Sequence, residues 1–313
     1  MNQVFKEDLI EDKRNIRAYL AWASICIVWG TTYLAIRIGV ESMPPMLFAG
    51  IRWIIAGTFF FIFLWYKKYK LPSVYELFHS ALVGILLIGV ANGLVVTAEQ
   101  WVPSGLAALL ITTMPFWMTG FESVLPSGKK FNLIIILGLL CGFSGVAIIL
   151  WDDINNLFDT EYFVGILLIL LSVISWSVGS LFSKYNKITI HALMSASIQM
   201  IVAGIAQTLL GIILGEHNYF ELNQNGVLSI LYLIIFGSFF GYAAYIYAIE
   251  HLPVSFVATY TYINPIIALF LGWLILDETL NSTIAIGALI ILFGVWLVRR
   301  GNTIREVKER LQK

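Results

Sequence analysis

The sequence AEQWVPSGLAALLITTMP at residues 98–115 has a counterpart at residues 248–265, which read AIEHLPVSFVATYTYINP. The leading alanine and both prolines of the first stretch return after an interval of 150 residues in the second. Both stretches are mainly apolar, so the two matching parts of the chain are expected in the same apolar environment. The pattern predicts that one structural unit occurs twice in this chain.

Two further sets of residues repeat in the same order along the chain. They are Trp29 and Arg37 with Trp176 and Lys184, 147 residues apart, and Gly138, Gly145 and Val146 with Gly287, Gly294 and Val295, 149 residues apart. Single coincidences are common in a glycine-rich apolar chain, but three ordered sets at nearly equal intervals are not. We therefore divide the chain into two similar halves.

The composition excludes a water-soluble globule. Of the 313 residues, 59% are hydrophobic and 12% are charged, whereas an ordinary soluble domain has roughly 45–50% and 25%. The net charge is zero and no basic stripe runs along any segment, so a nucleic-acid partner is not expected. The two cysteines offer neither a disulfide framework nor the spacing of a metal site.

Ten apolar segments are long enough to cross a bilayer as helices, which requires about 20 residues each. They cover residues 17–37, 45–65, 78–98, 103–122, 131–151, 162–183, 190–214, 226–248, 253–276 and 280–299. The first sixteen residues mix acids and bases and precede no cleavage site, so we expect a retained cytoplasmic segment at 1–16 and not a removed signal. The sequence thus predicts an all-α membrane protein.

The repeat and the helix count together predict the topology. The first repeat covers residues 17–151 and the second covers 162–299, with five helices in each. Because five is odd, the second half enters the membrane with the opposite sense to the first. This inverted arrangement is typical of secondary transporters, which bind substrate near the midplane between the halves.

The basic residues predict the orientation, because lysine and arginine accumulate in cytoplasmic loops. Seventeen of the nineteen lie on the side that holds both termini, and the remaining two, Arg37 and Arg52, fall inside spans. We therefore expect a multi-pass protein of the plasma (inner) membrane with both termini in the cytoplasm. Residues 300–313 form the predicted basic cytoplasmic tail.

Several motifs of both halves resemble the EamA family of the drug/metabolite transporter superfamily. They are Trp29-Gly30-Thr31-Thr32-Tyr33 with Arg37, Pro44-Pro45 with Arg52, Ala98-Glu99 followed by Val102-Pro103-Ser104-Gly105 and Pro115, and Asp277-Glu278 before Gly287 and Gly294-Val295. The first-half motifs are most similar to those of the YedA-like exporters. The resemblance implies ten helices in two inverted bundles and proton-linked or facilitated efflux of small metabolites. One departure is that Glu278, after helix 9, has no acidic counterpart after helix 4.

Arg52 is the first candidate for a substrate-binding residue. It lies seven residues inside the second predicted span, where an ionisable side chain is costly and marks a functional position. Gln199 occupies the matching position 147 residues later. Both side chains can donate hydrogen bonds to an anionic or carbonyl-bearing solute, so we expect them to face one cavity. The alternative is an arginine bound by backbone carbonyls or a helix end.

Aromatic and polar residues complete the predicted cavity. Trp29 and Tyr33 share one face of helix 1, and Trp176 repeats the tryptophan in the second half. The remaining predicted substrate-binding residues are Asn92, Tyr242, Tyr260, Tyr262 and Asn264. Aromatic packing is the alternative for the two tryptophans. Pro115 and Pro265 each remove a backbone hydrogen bond within a span and are predicted hinges, unless threonine merely repairs the kink.

The candidate for proton coupling is Glu99, at the end of helix 3. A carboxylate partly buried at a cavity mouth has its pKa raised and can exchange a proton during a transport cycle. Facilitated export without protons stays open, because no carboxylate stands alone at mid-span. The sequence predicts no catalytic residue, metal or cofactor.

Taken together, these features predict a secondary active or facilitative transporter that works by alternating access. Its substrates are expected to be small metabolites or drugs, amino-acid-like or amphipathic. Membrane lipid is its other expected partner, joined by protons if export is proton-coupled. The alternatives are a lipid translocase or a sensor on the same scaffold, and an intramembrane enzyme. For the enzyme, the serine of Gly142-Phe143-Ser144-Gly145 has no histidine base at mid-membrane. The oligomeric state is left open.

Overall fold

The computed structural model describes the backbone of residues 2–124, 132–152, 159–252, 257 and 260–311. Within these ranges every regular element is helical. The helices are α1 (Asn2–Val40), α2 (Pro45–Tyr66), α3 (Val74–Ala98), α4 (Ser104–Ile111 and Met114–Val124), α5 (Leu133–Asp152), α6 (Thr160–Tyr185), α7 (Ala192–Ile213), α8 (Gln224–Tyr232, Leu233–Tyr242 and Ala243–His251 in succession), α9 (Tyr260–Leu276) and α10 (Ser282–Leu311).

These helices make the protein a multi-pass membrane protein. Eight of the described helices are long and apolar enough to cross a membrane, and α9 and the stretch Leu133–Ile149 of α5 are apolar but shorter. Large apolar side chains cover their outer faces; Phe59 is 58% exposed and Leu289 is 68% exposed. Such side chains face hydrocarbon at no cost, whereas their backbone groups are satisfied inside each helix.

A helix overlaps each of the ten predicted spans, with two differences at the chain ends. The first helix begins at Asn2, so the predicted segment 1–16 continues the helix, and α10 likewise runs on to Leu311 through most of the predicted tail. The predicted span 253–276 begins at Pro253, which lies outside the described residues.

Two helices contain a wider, π-helical turn. The first π segment is Ile85–Asn92 in α3, and the second π segment is Leu233–Tyr242 in α8. A π segment interrupts the regular ladder of hydrogen bonds and is frequent at functional sites. The carbonyls that it frees need other donors in an apolar surrounding.

The helix α4 is broken in its middle. A turn at Thr112 and Thr113 separates its two parts, immediately before Met114 and Pro115. The two threonine hydroxyls donate to the carbonyls three residues earlier, at 2.6 and 2.7 Å. In α9, by contrast, Pro265 lies inside a helix that continues past it. The two predicted hinge prolines therefore have different surroundings.

Glycines bring α5 and α10 into close contact. A Cβ atom on Gly138 would lie 2.7 Å from the Gly294 carbonyl oxygen, and one on Gly145 would lie 2.8 Å from the Gly287 carbonyl oxygen. The absence of side chains at these positions lets the two backbones approach directly, as small residues do between membrane helices. The repeated glycines of the sequence thus serve helix packing.

Two carboxylates of the second half stabilise helix starts of the first half. Glu216 accepts hydrogen bonds from the backbone N–H groups of Met46 and Leu47 in α2, at 3.2 and 2.8 Å. Glu278 accepts from the first two N–H groups of α4, at 2.7 and 3.1 Å. Such groups have no partner within their own helix, and a negative charge there is favourable. These two contacts fix α2 and α4 against the second half.

Candidate functional site

A cavity of about 100 Å³ lies among helices of both halves. Seven of the ten predicted substrate-binding residues line it: Trp29, Tyr33, Arg52, Asn92, Trp176, Tyr242 and Tyr260. They come from α1, α2, α3, α6, α8 and α9, so residues far apart in sequence meet at one place. The broken part of α4 adds Ile111 and Met114 to the wall.

Aromatic rings form one wall of the cavity around Trp29. Its ring centroid lies 5.1 Å from Tyr260, 5.2 Å from Tyr245 and 6.3 Å from Trp176. Edge-to-face and tilted contacts of this kind favour aromatic pairs beyond the area that they bury. The Trp29 indole N–H donates to the carbonyl of Gly237 at 3.1 Å. The second π segment therefore holds this indole in place.

Arg52 brings a positive charge to the cavity lining. It is 4% exposed, and its guanidinium lies 4.1 Å from the centroid of the Trp53 ring. Its Nη2 atom is 3.4 Å from Asn92 Oδ1, which also accepts a 2.8 Å hydrogen bond from the Trp53 indole. The Nε and Nη1 atoms are buried and have no hydrogen-bond partner. Arg52 is thus oriented by its neighbours but not neutralised by hydrogen bonding to an acid.

Gln199 lies behind the cavity wall and not in it. Its Oε1 atom accepts a hydrogen bond of 2.5 Å from the Tyr242 hydroxyl, and its Nε2 atom donates to Ser195 Oγ at 3.1 Å. Ser195 in turn lies 2.8 Å from Ser80 Oγ. The predicted partner of Arg52 therefore acts through Tyr242, whose ring lines the cavity.

The remaining predicted residues of α9 also stand outside the lining. The Tyr262 hydroxyl is 3.5 Å from the Val295 carbonyl oxygen. The Asn264 amide, oriented with its nitrogen as donor, lies 2.8 Å from the Cys26 carbonyl oxygen and 3.1 Å from that of Tyr260. Asn264 thus connects α9 to α1 next to Pro265, and it supports the wall that Trp29 and Tyr260 form.

Glu99 is fully buried beside the cavity, and neither carboxyl oxygen has a hydrogen-bond partner. Its backbone carbonyl accepts a hydrogen bond from Arg37 Nη1. Burial and the negative charge of Glu278 raise the pKa of the Glu99 carboxyl well above its usual range, against the opposing effect of Arg37 and Arg52. A carboxyl whose pKa is raised in this way can take up and release a proton when its surroundings change.

The repeated cations Arg37 and Lys184, of α1 and α6, are not among the residues that line the cavity. Arg37 Nε is 3.8 Å from the carboxylate of Glu41. Lys184 Nζ is 2.6 Å from Glu122 Oε1, which also accepts from the Tyr185 hydroxyl. Both cations, in the last turns of their helices, are therefore engaged by acids.

Sequence reasoning missed several residues of the lining, among them Thr32, Trp53 and Ser172. One signal was available for the π segments: the glycine pairs Gly89 with Gly93 and Gly237 with Gly241 repeat at an interval of 148 residues. In the lining residues themselves, no pattern distinguishes Ser172 from other small residues, because only the packing of α6 against α3 turns it inward.

Comparison with known proteins identifies the family of this chain. The sequence profile of the EamA-like transporter family matches residues 16–151 and again 163–300. The chain belongs to the EamA-like transporter family. This EamA-like chain is 36% identical to the "Uncharacterized inner membrane transporter YedA" of Escherichia coli K12 over 91% of each chain. It is 26% identical to the "Uncharacterized transporter YoaV" of Bacillus subtilis 168, over 90% of this chain and 96% of that one.

A solved crystal structure has the same fold as the EamA-like chain. The TM-score is 0.65 at 19% identity, and the match covers 90% of this chain and 96% of the other. The family and its relatives indicate a membrane transporter and not an enzyme. A small-molecule substrate and a lipid environment follow from that membership.

Proposed function

We propose that this EamA-like protein exports small metabolites or drugs by alternating access, with the cavity around Trp29 and Arg52 as the substrate site. The observation that carries the proposal is the cavity itself, since six helices from both halves contribute the candidate residues to it. A site between two halves can open to one side or the other when they rock against each other.

The proposed halves are two inverted repeats of five helices. The glycine contacts between α5 and α10 support this relation. Gly138 meets Gly294 and Gly145 meets Gly287, and with an interval of 149 residues each contact is the two-fold counterpart of the other. The equivalent positions of the two π segments in α3 and α8 support it as well.

The proposed orientation has both termini in the cytoplasm of the inner membrane, following the distribution of basic residues. Export as the direction follows the resemblance of the first-half motifs to the YedA-like exporters. The enclosed position of the polar groups favours a solute carrier over a lipid translocase, because Arg52, Gln199 and Tyr242 are all at most 6% exposed.

Glu99 is the proposed site of proton coupling. Its carboxyl interacts electrostatically with Glu278, at the start of α4, and with Arg52 of the cavity lining. A proton bound there in one state and released in the other would link substrate movement to a proton gradient.

A reversible cross-link between the halves tests alternating access. The Ser80 and Ser195 hydroxyl oxygens, in α3 and α7, lie 2.8 Å apart, so cysteines at both positions can form a disulfide, whose S–S bond is about 2.05 Å long. In proteoliposomes, we expect oxidation of the double variant to stop solute counterflow and reduction to restore it. A panel of amino acids, purines, sugars, quaternary amines and aromatic drugs serves to find the transported solute.

The single variants Ser80→Cys and Ser195→Cys, oxidised in the same way, are the matched controls, since the chain also carries Cys26 and Cys141. Full transport by the oxidised double variant, with the disulfide present, would contradict alternating access. Absence of flux for every solute in the unmodified protein, with labelled lipid moving instead, would favour a lipid translocase.

A further inference from the structure

We infer that the cavity selects small organic anions in which a carboxylate is joined to an apolar, preferably aromatic, body, and that Arg52 binds the carboxylate. This inference rests on the proposed function, because it names the substrate class of the same cavity. It is carried by the state of the Arg52 side chain and by the chemistry of the walls around it.

Arg52 lines the cavity, and its guanidinium has donors without a hydrogen-bond partner. Its Nε and Nη1 atoms are buried without a hydrogen-bond partner, although the residue is only 4% exposed. A buried charge left without partners is unfavourable, and a planar guanidinium matches a carboxylate with two parallel hydrogen bonds. The contact with Trp53 holds the guanidinium plane in position before any solute arrives. A carboxylate that enters the cavity would satisfy these donors.

No acid in the lining competes for that place. Among the described residues that line the cavity, Arg52 is the single ionised side chain. The nearby Glu99 lies outside the lining, makes no hydrogen bond to Arg52, and is a carboxyl for which burial favours the neutral form. The counter-charge for Arg52 is therefore best supplied by the solute.

Most neutral polar groups of the wall are already engaged within the protein. The indoles of Trp29 and Trp53 donate to Gly237 and Asn92, the hydroxyl of Tyr242 donates to Gln199, and those of Thr32 and Ser172 donate to backbone carbonyls. A sugar or another polyol needs many free partners, and these walls do not offer them. Apart from Arg52, Asn92 and the polar ends of Tyr33, Trp176 and Tyr260, the rest of the lining is aromatic or aliphatic, which favours an apolar body.

The size of the cavity agrees with a compact solute. Its volume is about 100 Å³, of the same order as the engineered cavity of about 150 Å³ that accommodates benzene. A single ring that carries one carboxylate is a suitable probe. Benzoate, benzamide, benzylamine and phenylalanine differ in charge while they share the ring, so they separate an anion site from a neutral, cationic or zwitterionic one.

The test uses the full-length protein, first in detergent and then in proteoliposomes. Binding is measured as the concentration-dependent rise of the thermal unfolding temperature, and transport as counterflow of labelled benzoate. We expect benzoate to bind and to be transported, and benzamide and benzylamine to do neither. The Arg52→Gln variant should weaken benzoate binding by roughly 10- to 100-fold, as expected for hydrogen bonds to a charged group.

Two further variants separate recognition from general effects. Arg52→Lys keeps the charge without the planar fork and should bind benzoate between wild type and Arg52→Gln. Arg300→Gln removes an exposed arginine that stacks on Trp296 at 5.2 Å and should leave binding unchanged. Each variant is first compared with wild type for its unfolding temperature without ligand.

The outcomes distinguish this inference from the proposed function. If phenylalanine or benzylamine is transported while benzoate neither binds nor moves, the anion class is wrong and transport stands. If Arg52→Gln binds benzoate as wild type does, Arg52 is not the carboxylate site. If benzoate binds through Arg52 but no solute crosses the bilayer, the anion site stands and the proposed transport function is overturned.

Discussion

The two π segments have the same backbone form, yet different side chains complete them. In the first π segment, the Gly89 carbonyl accepts a hydrogen bond from Gln207 Nε2 at 3.1 Å. In the second, the equivalent carbonyl of Gly237 accepts from Trp29 Nε1, also at 3.1 Å. Gln207 stands outside the cavity lining, whereas Trp29 is part of it.

This difference shows how a duplicated scaffold builds an unequal site. The π segment of each half needs a donor for the carbonyl that its wide turn frees, and in both cases a helix of the other half provides that donor. In the first half the donor only satisfies the backbone. In the second half the same requirement fixes an aromatic wall of the cavity, so the repeat of backbone geometry does not repeat the chemistry of the site.

The largest loss of stability is expected from alanine at the glycines of the two regions that contact the donor side chains. A Cβ atom on Gly241 would lie 2.4 Å from Trp29 Nε1, whereas one on the equivalent Gly93 would lie 3.0 Å from Gln207 Nε2. The indole is rigid and the amide is the end of a flexible chain. Gly241→Ala should therefore destabilise the protein by about 1–3 kcal/mol and reduce transport, and Gly93→Ala should do less of both. Equal shifts in unfolding temperature would show that the two positions are equivalent.

Removal of the donors sharpens the comparison further. Trp29→Phe removes the donor to the Gly237 carbonyl, and Gln207→Met removes the donor shared by the Ile88 and Gly89 carbonyls. Each change has an expected cost of about 1–3 kcal/mol in stability. Only Trp29→Phe changes the cavity, so counterflow per folded molecule should fall in that variant alone. Loss of counterflow in Gln207→Met, at normal stability, would place Gln207 in the transport path.

A smaller effect is expected at the carboxylates that connect the halves. Glu216→Gln and Glu278→Gln keep the shape of the side chain but remove the charge at the start of α2 and α4, at an expected cost of about 1 kcal/mol each. Glu221, an exposed acid of the same loop as Glu216, gives the matched control Glu221→Gln. Thermal unfolding of the three variants checks this. If Glu216→Gln and Glu278→Gln unfold at the same temperature as the control, these two carboxylates do not stabilise the contact between the halves.

The smallest change in stability is expected for Glu99→Gln, and it depends on pH. Because burial raises the pKa of Glu99, the folded protein holds this proton more tightly than the unfolded chain. Its contribution to stability is present at low pH and is lost as the pH rises above the usual glutamate range towards the raised pKa. The variant should match wild type at low pH and lack this decline at higher pH. A decline of the same size in both proteins, measured by thermal unfolding across pH, would rule out Glu99 as its source.

The sequence predicted much of the fold because its signals are local. Apolar length marks each span, and the described helices overlap all ten predicted spans. Seven of ten predicted binding residues line the cavity, since mid-span polar and aromatic residues have few other uses in lipid. Gln199, Tyr262 and Asn264 lie outside the lining because their position depends on how neighbouring helices rotate, which spacing along one helix does not reveal.

The π segments and the two carboxylate contacts escaped prediction for a related reason. A π turn depends on a donor such as Trp29, which is 208 residues away from Gly237. Glu216 reads as an ordinary loop acid until the fold brings it to the start of α2. Contacts between distant residues leave no periodic pattern in either stretch.

By itself, the sequence determined that this protein is helical, spans a membrane many times and belongs with the EamA-like transporters, because apolar length and repeated motifs are properties of the chain alone. The tertiary structure decided which face of each helix meets the cavity. It placed Arg52, with its unused donors, in the same cavity lining as the aromatic residues around Trp29. A charge and a wall contributed by different helices become one site only when packing brings them together.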